Sequence, residues 1–322
     1  MALVPAGERA IAIAAAFAAS RVVHESRASG TTSYDLPGAL LSTAGLVSLV
    51  YGFTKAESDG WGSGPTLTFL SIAVVLLAAF VIVESRSQNP LLPLRVVAER
   101  NRGGAFLATV LTGAGLFAMF VFLSYYMQEV LRYSALRAGI AFLPFAVGLV
   151  VAAGLSTALV PRVGPRIPMT LGLLVGAGGL GWLTQIGVDT SYWTHVLPPE
   201  LLMSFGLGLA FPALSSTALI KVADRDSGVA SALVNTTQQV GGSLGTALLN
   251  TVAASATATF IVAHGRGSFA AGTVHGFAVA FAIGAGFLAL AAIASAVFVT
   301  AHGDDLPAPA AASSAAGDPA LP

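Results

Sequence analysis

The chain has 322 residues, of which 55% are hydrophobic and 9% charged, and its 15 basic residues balance its 15 acidic ones. Soluble domains carry about 25% charged residues, so a chain with a mean hydropathy of +0.81 has too little charge to cover a water-facing surface. The even balance excludes a basic field for nucleic acid. The absence of Cys excludes a disulfide framework and any Cys-based metal or redox site, and the five His are too scattered to hold a cofactor metal.

The first apolar run, Ile11 to Ala19, follows Glu8 and Arg9. It is shorter than the roughly 20 residues a crossing needs. It also lacks the basic start and small-residue cleavage site of a secretory leader. Residues 1–20 therefore read as a truncated helix remnant. Two predicted spans follow, Leu36–Phe53 and Thr66–Val83, joined by a Gly-rich polar connector, Thr54–Pro65. Four more come next: Ala105–Met127, Gly139–Val160, Ile167–Ile186 and Leu201–Ile220. A segment at Asn235–Val262 is more polar but uncharged. The last span, Phe277–Val299, has neither amide side chain nor charge and suits a lipid-facing, peripheral helix. The tail, residues 301–322, is small, Pro-containing and uncharged apart from Asp, a composition expected to be disordered.

After residue 20, every Asp, Glu, Lys and Arg falls between spans or at an edge, as expected when a charge in lipid costs several kcal/mol. The blocks are apolar on all sides rather than alternating, which selects helices over a barrel. Ten Lys and Arg lie in one set of alternate loops and four in the other. The first set is therefore predicted to be cytoplasmic, and with it the C-terminus. Asp35, Glu84 and Glu129 lie at span edges and read as solvated. With no acid inside a span, any proton-coupling group is expected outside this sequence.

Within Asn235–Val262, a polar stripe continues from Ser231 through Asn235, Gln239, Gly242, Thr246 and Asn250, at intervals of three or four that share one helical face. Such a stripe is costly against lipid and must face protein or water. It either lines a substrate path or serves interhelical hydrogen bonding, with close packing through the Gly241–Gly245 spacing. Phe117, Ser124, Tyr125 and Gln128 form a second aromatic and polar face. It could receive an amphipathic molecule or belong to an interfacial aromatic belt, the reading preferred for Tyr126. Arg162, Gly164 and Arg166 share a very short loop, which fits either a cytoplasmic gate or simple topological charge. The glycines at 172, 176, 178, 179 and 181 read as close helix packing. Nothing resembles a catalytic constellation, so an enzyme is not expected.

Several stretches resemble the 14-span drug/proton antiporters of the major facilitator superfamily. They are YYMQEVLRYSALRAGIAFLP (Tyr125–Pro144), LVPRVGPR (Leu159–Arg166), Gly206–Val252 with its VNTTQQVGGSLGTALLNTV, and LPGALLSTAGLVSLVYGF (Leu36–Phe53). The resemblance covers roughly Val4 to Val299. It implies an all-α membrane protein with a C-terminal six-helix bundle at 104–300, two extra central helices at 36–83 and a partial N-terminal helix. Pro161 stands where the family often has an acid before the loop arginine, and Gln238 where it often has an arginine. The family's first five helices are not represented. The resemblance implies multidrug efflux across the plasma membrane, with a small organic substrate, protons and the lipid bilayer as partners once an N-terminal half completes the carrier. Such a carrier could serve antibiotic resistance. The alternative is a truncated, non-transporting membrane fragment or interaction subunit.

Overall fold

A computed structural model of the chain describes residues 35–302 except 88, 89, 91, 93, 224 and 225. The readings made for residues 1–20 and for the tail beyond His302 lie outside that range. Among the described residues the chain is all-helical, and eight helical segments are long and apolar enough to cross a membrane.

Helix α1 (Leu36–Asp59) starts at Asp35, whose Oδ1 accepts the Gly38 N–H at 2.8 Å, with Pro37 in the first turn. It continues six residues beyond the expected end at Phe53. No breaker occurs before Gly60, whose φ of +89° ends the helix, and Lys55 pairs with Asp59 one turn on at 3.4 Å. The expected connector is therefore a short turn. Helix α2 (Gly64–Arg86) is capped by Ser63 and packs back on α1. Gly38, Gly45 and Gly52 recur at every seventh residue and are buried in this hairpin. A Cβ on Gly45 would lie 2.8 Å from Leu77, and one on Gly52 would lie 2.7 Å from Leu70. Glu84, expected to be solvated, is buried and accepts the Leu92 N–H at 3.1 Å. Leu92 thereby lies against the last turns of α2.

A short α3 (Leu94–Ala98) leads to α4 (Arg100–Tyr125), which runs on through a π-helical turn, Tyr126–Val130. The next span is two pieces, α5 (Ala135–Ala141) and α6 (Leu143–Val163), broken at Phe142 ahead of Pro144. Then come α7 (Arg166–Leu183), the single turn α8 (Tyr192–His195), α9 (Leu197–Ala218), α10 (Ser227–His264) and α11 (Phe269–Phe298). With 38 residues, α10 is about 57 Å long at 1.5 Å per residue, well beyond a hydrocarbon core of about 30 Å.

Helix α4 is the hub, packed on α10, α11 and α9. Around it, α11 lies on α7, α7 on α9, and α9 on α6, while α1 reaches the bundle through α10. The closest approach is between α4 and α10. A Cβ on Gly241 would collide with the Val110 carbonyl, one on Gly245 would lie 2.5 Å from Ala114 Cα, and one on Gly113 would lie 2.6 Å from the Gln238 carbonyl. This is small-residue packing of two backbones, the main source of helix association where lipid offers no hydrophobic gain. In α7, Gly172 and Gly179 meet α9 and Gly176 faces Leu288 of α11, whereas Gly178 and Gly181 meet nothing.

Helix α11 departs from the peripheral helix expected of its composition. It buries Gly276, Ala280, Phe281, Gly284, Leu288 and Ala291, and exposes Leu290, Ile293 and Val297 on the other side. Small residues make that buried face, and hydropathy alone does not separate a lipid-facing stripe from one facing glycine and alanine on other helices.

Gly241→Leu should lower the unfolding midpoint of the detergent-solubilised chain, with a cost of at least the 1–3 kcal/mol typical of overpacking. Gly178→Leu, placed where nothing lies within 4 Å, should leave the midpoint unchanged in the same thermal melts.

Candidate functional site

The polar stripe of α10 divides into three parts. In the first, Ser231, Asn235 and Gln239 are exposed. Asn235 Nδ2 donates back to the Ser231 carbonyl at 3.1 Å, and Ser243 donates to the Gln239 carbonyl. In the middle, Gly242 is buried beneath the Phe117 ring of α4, and Thr246 donates to the Gly242 carbonyl. At the far end, Asn250 Nδ2 donates to Glu57 Oε1 of α1 at 2.6 Å, and beside it Trp61 Nε1 donates to Thr251 Oγ1 at 3.1 Å. Of the stripe's side chains, those of the first part are the most exposed.

Two grooves flank that open part. One, of about 510 Å³, lies between α1 and α10 and places Asn235 and Gln239 opposite Val47, Val50 and Tyr51. The other, of about 400 Å³, lies between α4, α9 and α10, where Thr109, Ser215, Ser231, Asn235 and Gln238 mix with Phe211 and Leu214. Asn235 lines both, so the stripe carries polar groups along an otherwise apolar surface. A third depression, of about 690 Å³ towards the far end, brings Asn250 and Tyr125 together with Glu57 and Phe122. An aromatic and amide lining of this type suits an amphipathic organic molecule.

The other candidates separate. Gln128 Nε2 donates to Ser124 Oγ at 3.0 Å within its own helix, so neither joins the α10 stripe. Tyr125 is exposed, but Tyr126 is fully buried, its hydroxyl donating to the Gly187 carbonyl at 2.8 Å and lying 3.0 Å from Thr190 Oγ1. The aromatic-belt reading of Tyr126 is therefore corrected. Tyr126 lies one turn beyond Phe122 and Leu123 and continues the buried face of α4, while its neighbour lies outside. Arg162 and Arg166 are both exposed, and among the described residues no ion pair reaches them. Gly164 between them takes φ +78° and closes α6.

Another polar constellation holds the Arg-rich end, and the sequence reading used only its arginines, as topological charge. Arg102 is buried on α4 and its guanidinium donates to three carbonyls, Val96 at 2.7 Å, Ile220 at 2.8 Å and Arg95 at 2.8 Å. It thereby joins α4 to α3 and to the end of α9. Arg95 in turn pairs with Asp226, just before α10, at 2.7 Å. Asn101 Oδ1 accepts the Thr300 and Ala301 N–H groups beyond α11. Glu99 caps α4 through the Arg102 N–H at 2.9 Å. Burial works against its charge, but the N–H groups of Arg102 and Asn101 outweigh this and hold the carboxyl below its ordinary 4.5. The signal was present as an Arg three residues after a capping acid at a helix start.

The sequence profile of the Major Facilitator Superfamily matches residues 6–246, and this chain belongs to that superfamily. It is 46% identical over 270 residues to the puromycin resistance protein pur8 of Streptomyces alboniger, covering 82% of this chain and 54% of that protein. It is 39% identical to the cephamycin export protein CmcT of Amycolatopsis lactamdurans, covering 77% of this chain and 52% of that one. It is 32% identical to the tetracenomycin C resistance and export protein of Streptomyces glaucescens, covering 76% and 46%. The chain thus spans about half the length of the curated relatives it matches. A bacterial homolog of the human lysosomal transporter Spinster, solved inward-facing and occupied, shares the fold with a TM-score of 0.56 at 14% identity, over 85% of this chain and 67% of that one.

Arg102→Ala leaves three carbonyls without their donor and should cost about 1.5–3 kcal/mol, the scale of hydrogen bonds to a charged group. Arg102→Lys should recover only part of it, because an ammonium lacks the planar fork; chemical denaturation in detergent measures both. The lowered Glu99 carboxyl stabilises the fold fully above its ordinary 4.5, and that contribution is lost as pH falls through the lower folded value. As pH falls from 4.5 through that lower value, thermal midpoints should drop more steeply for wild type than for Glu99→Gln.

Proposed function

We propose that the chain is the C-terminal portion of a 14-span, proton-coupled efflux carrier for amphipathic organic compounds. In this reading, residues 36–83 are the central helix pair and 104–300 the C-terminal bundle. The carrier sits in the plasma membrane with its C-terminus in the cytoplasm, as the loop charges predict. The observation that carries the proposal is the open first part of the α10 stripe. Asn235 and Gln239 are exposed on a helix long and apolar enough to cross the bilayer, where lipid would penalise them. A facing N-terminal half and a water-filled path between the halves would remove that penalty, which is the arrangement alternating access requires. Phe117, Gly242 and Thr246 then shape the middle of the path, and Tyr125 and Asn250 its far end, with Ser124 and Gln128 beside them. Arg162, Gly164 and Arg166 would act as a cytoplasmic gate in a state other than this one. The export and resistance names of the relatives support a drug-like substrate and a role in antibiotic resistance.

The half-length match favours one rival, a membrane fragment or interaction subunit that transports nothing by itself. Reconstituted vesicles separate the two. The chain together with an upstream N-terminal half should drive efflux of an amphipathic organic dye under a pH gradient, and the chain alone should not. Asn235→Leu combined with Gln239→Leu should slow efflux about tenfold, equivalent to about 1.4 kcal/mol of lost stabilisation. Vesicles holding both halves that show no gradient-driven efflux would rule out the antiporter reading.

A further inference from the structure

Glu200 lies in the first turn of α9 and is completely buried. Its Oε1 has no hydrogen-bond partner among the described residues. Its Oε2 lies 3.4 Å from the Tyr192 hydroxyl of α8, and the Phe145 backbone N–H of α6 faces the carboxyl. The Tyr192 hydroxyl donates to the Ala141 carbonyl at 2.8 Å. Ala141 and Phe145 flank the break between α5 and α6, so one carboxyl sits where α5, α6, α8 and α9 meet.

The charges around it are few. On α8, His195 is half-buried and bonded to Thr194. Tyr133 lies against Tyr192 at 6.5 Å between ring centroids, with the Arg137 guanidinium of α5 over its ring at 3.9 Å. Glu129 and Asp189, at this end of the bundle, are exposed. Helices α6 and α7 carry only Arg162 and Arg166, and α4 only Arg100 and Arg102, all at the opposite end. Among the described residues no cation pairs with Glu200.

A tyrosine hydroxyl has one hydrogen to give, and the shorter contact, to Ala141, uses it. The 3.4 Å contact then becomes a hydrogen bond only if the carboxyl is the donor. An ionised carboxylate buried here without a cation would cost several kcal/mol. Both considerations place a proton on Glu200, in a chain running from Glu200 through Tyr192 to the Ala141 carbonyl. We propose that Glu200 is a proton-binding site of the bundle, neutral while the seam of α5, α6, α8 and α9 is packed as here, and deprotonated when that seam opens to water. Linkage then makes the reverse hold, and loss of the proton favours opening. The sequence reading placed every coupling acid outside this chain. Glu200 escaped it because the acid sits among Pro198, Pro199 and the apolar start of α9, just before the expected span. The inference does not depend on efflux.

The test uses the full chain in lipid nanodiscs. Hydrogen exchange over Ala141–Phe145 and Tyr192–Glu200, corrected for the intrinsic pH dependence of exchange, is followed from mildly acidic to alkaline pH. Wild-type protection should fall about tenfold for each pH unit above the point where the acid titrates, the slope that one linked proton gives. Glu200→Gln, isosteric and unable to ionise, should stay protected throughout, and Glu200→Asp should still titrate. The infrared difference between wild type and Glu200→Gln should show a protonated carboxyl band at neutral pH that disappears on alkalinisation. An empty difference spectrum, or Glu200→Gln losing protection with pH as wild type does, overturns the proposal. So does a Glu200→Gln chain that fails to fold while Glu200→Asp folds, since the fold would then require the charge.

Discussion

The backbone-to-backbone contact between α4 and α10 is the constraint on which the rest of the bundle depends. Lipid tails are as apolar as leucine, so helices in a bilayer gain little by hiding hydrophobic side chains from it. They gain by dispersion over short distances, and glycine permits those distances. Gly113 on α4, and Gly241 and Gly245 on α10, bring the two backbones together. That contact fixes the rotation of α10 about its axis. It buries Gly242 beneath Phe117 and leaves Asn235 and Gln239 open, the first bordering both grooves and the second one of them. The position of the polar stripe follows from where the glycines are.

The two ends of the bundle are organised by opposite solutions to one problem. At the Arg-rich end, charge is kept and satisfied. Arg102 serves three carbonyls, Arg95 meets Asp226, and Asn101 ties the end of α11 to the start of α4. The Arg102–Ile220, Arg95–Asp226 and Asn101–Thr300 bonds link elements far apart in the chain, so the helix ends there are fixed relative to one another. At the other end, no buried cation occurs among the described residues. Tyrosine hydroxyls there close onto backbone carbonyls, Tyr126 onto Gly187 and Tyr192 onto Ala141. Glu200, buried at that end, faces the Tyr192 hydroxyl and the Phe145 backbone amide rather than a guanidinium.

Much of this fold was legible in the sequence, because hydropathy over about 20 residues reports the cost of placing backbone and side chains in lipid. All eight segments were found, with ends displaced by as much as eight residues. The errors have a common origin in features that hydropathy averages away. Lys55 and Asp59 pair within α1 and extend a helix through residues that read as a loop. Tyr126 continues the buried face of Met119, Phe122 and Leu123, whereas its place near the span end alone suggested an interfacial ring. Glu84 and Glu200 sit at segment edges, where a residue can be in water or packed under a neighbouring element with no difference in local composition. The α10 stripe was legible as a stripe, but its division into open, covered and tied parts depends on α1 and α4, which the pattern of α10 alone cannot reveal.

The α1–α2 hairpin reaches the bundle through one helix face, with Asn250–Glu57 and Trp61–Thr251 as its polar ties. Its own glycine seam is internal, and the buried core of the bundle is assembled almost entirely from residues after Val96. Such a hairpin behaves as a modular part. Removing it would bare one side of α10 to lipid without reopening any contact among α4, α6, α7, α9 and α11. Architectures with and without the pair can therefore share one core, and sequence change in the hairpin is free to alter what borders Asn235 and Gln239 without repacking the helices behind them.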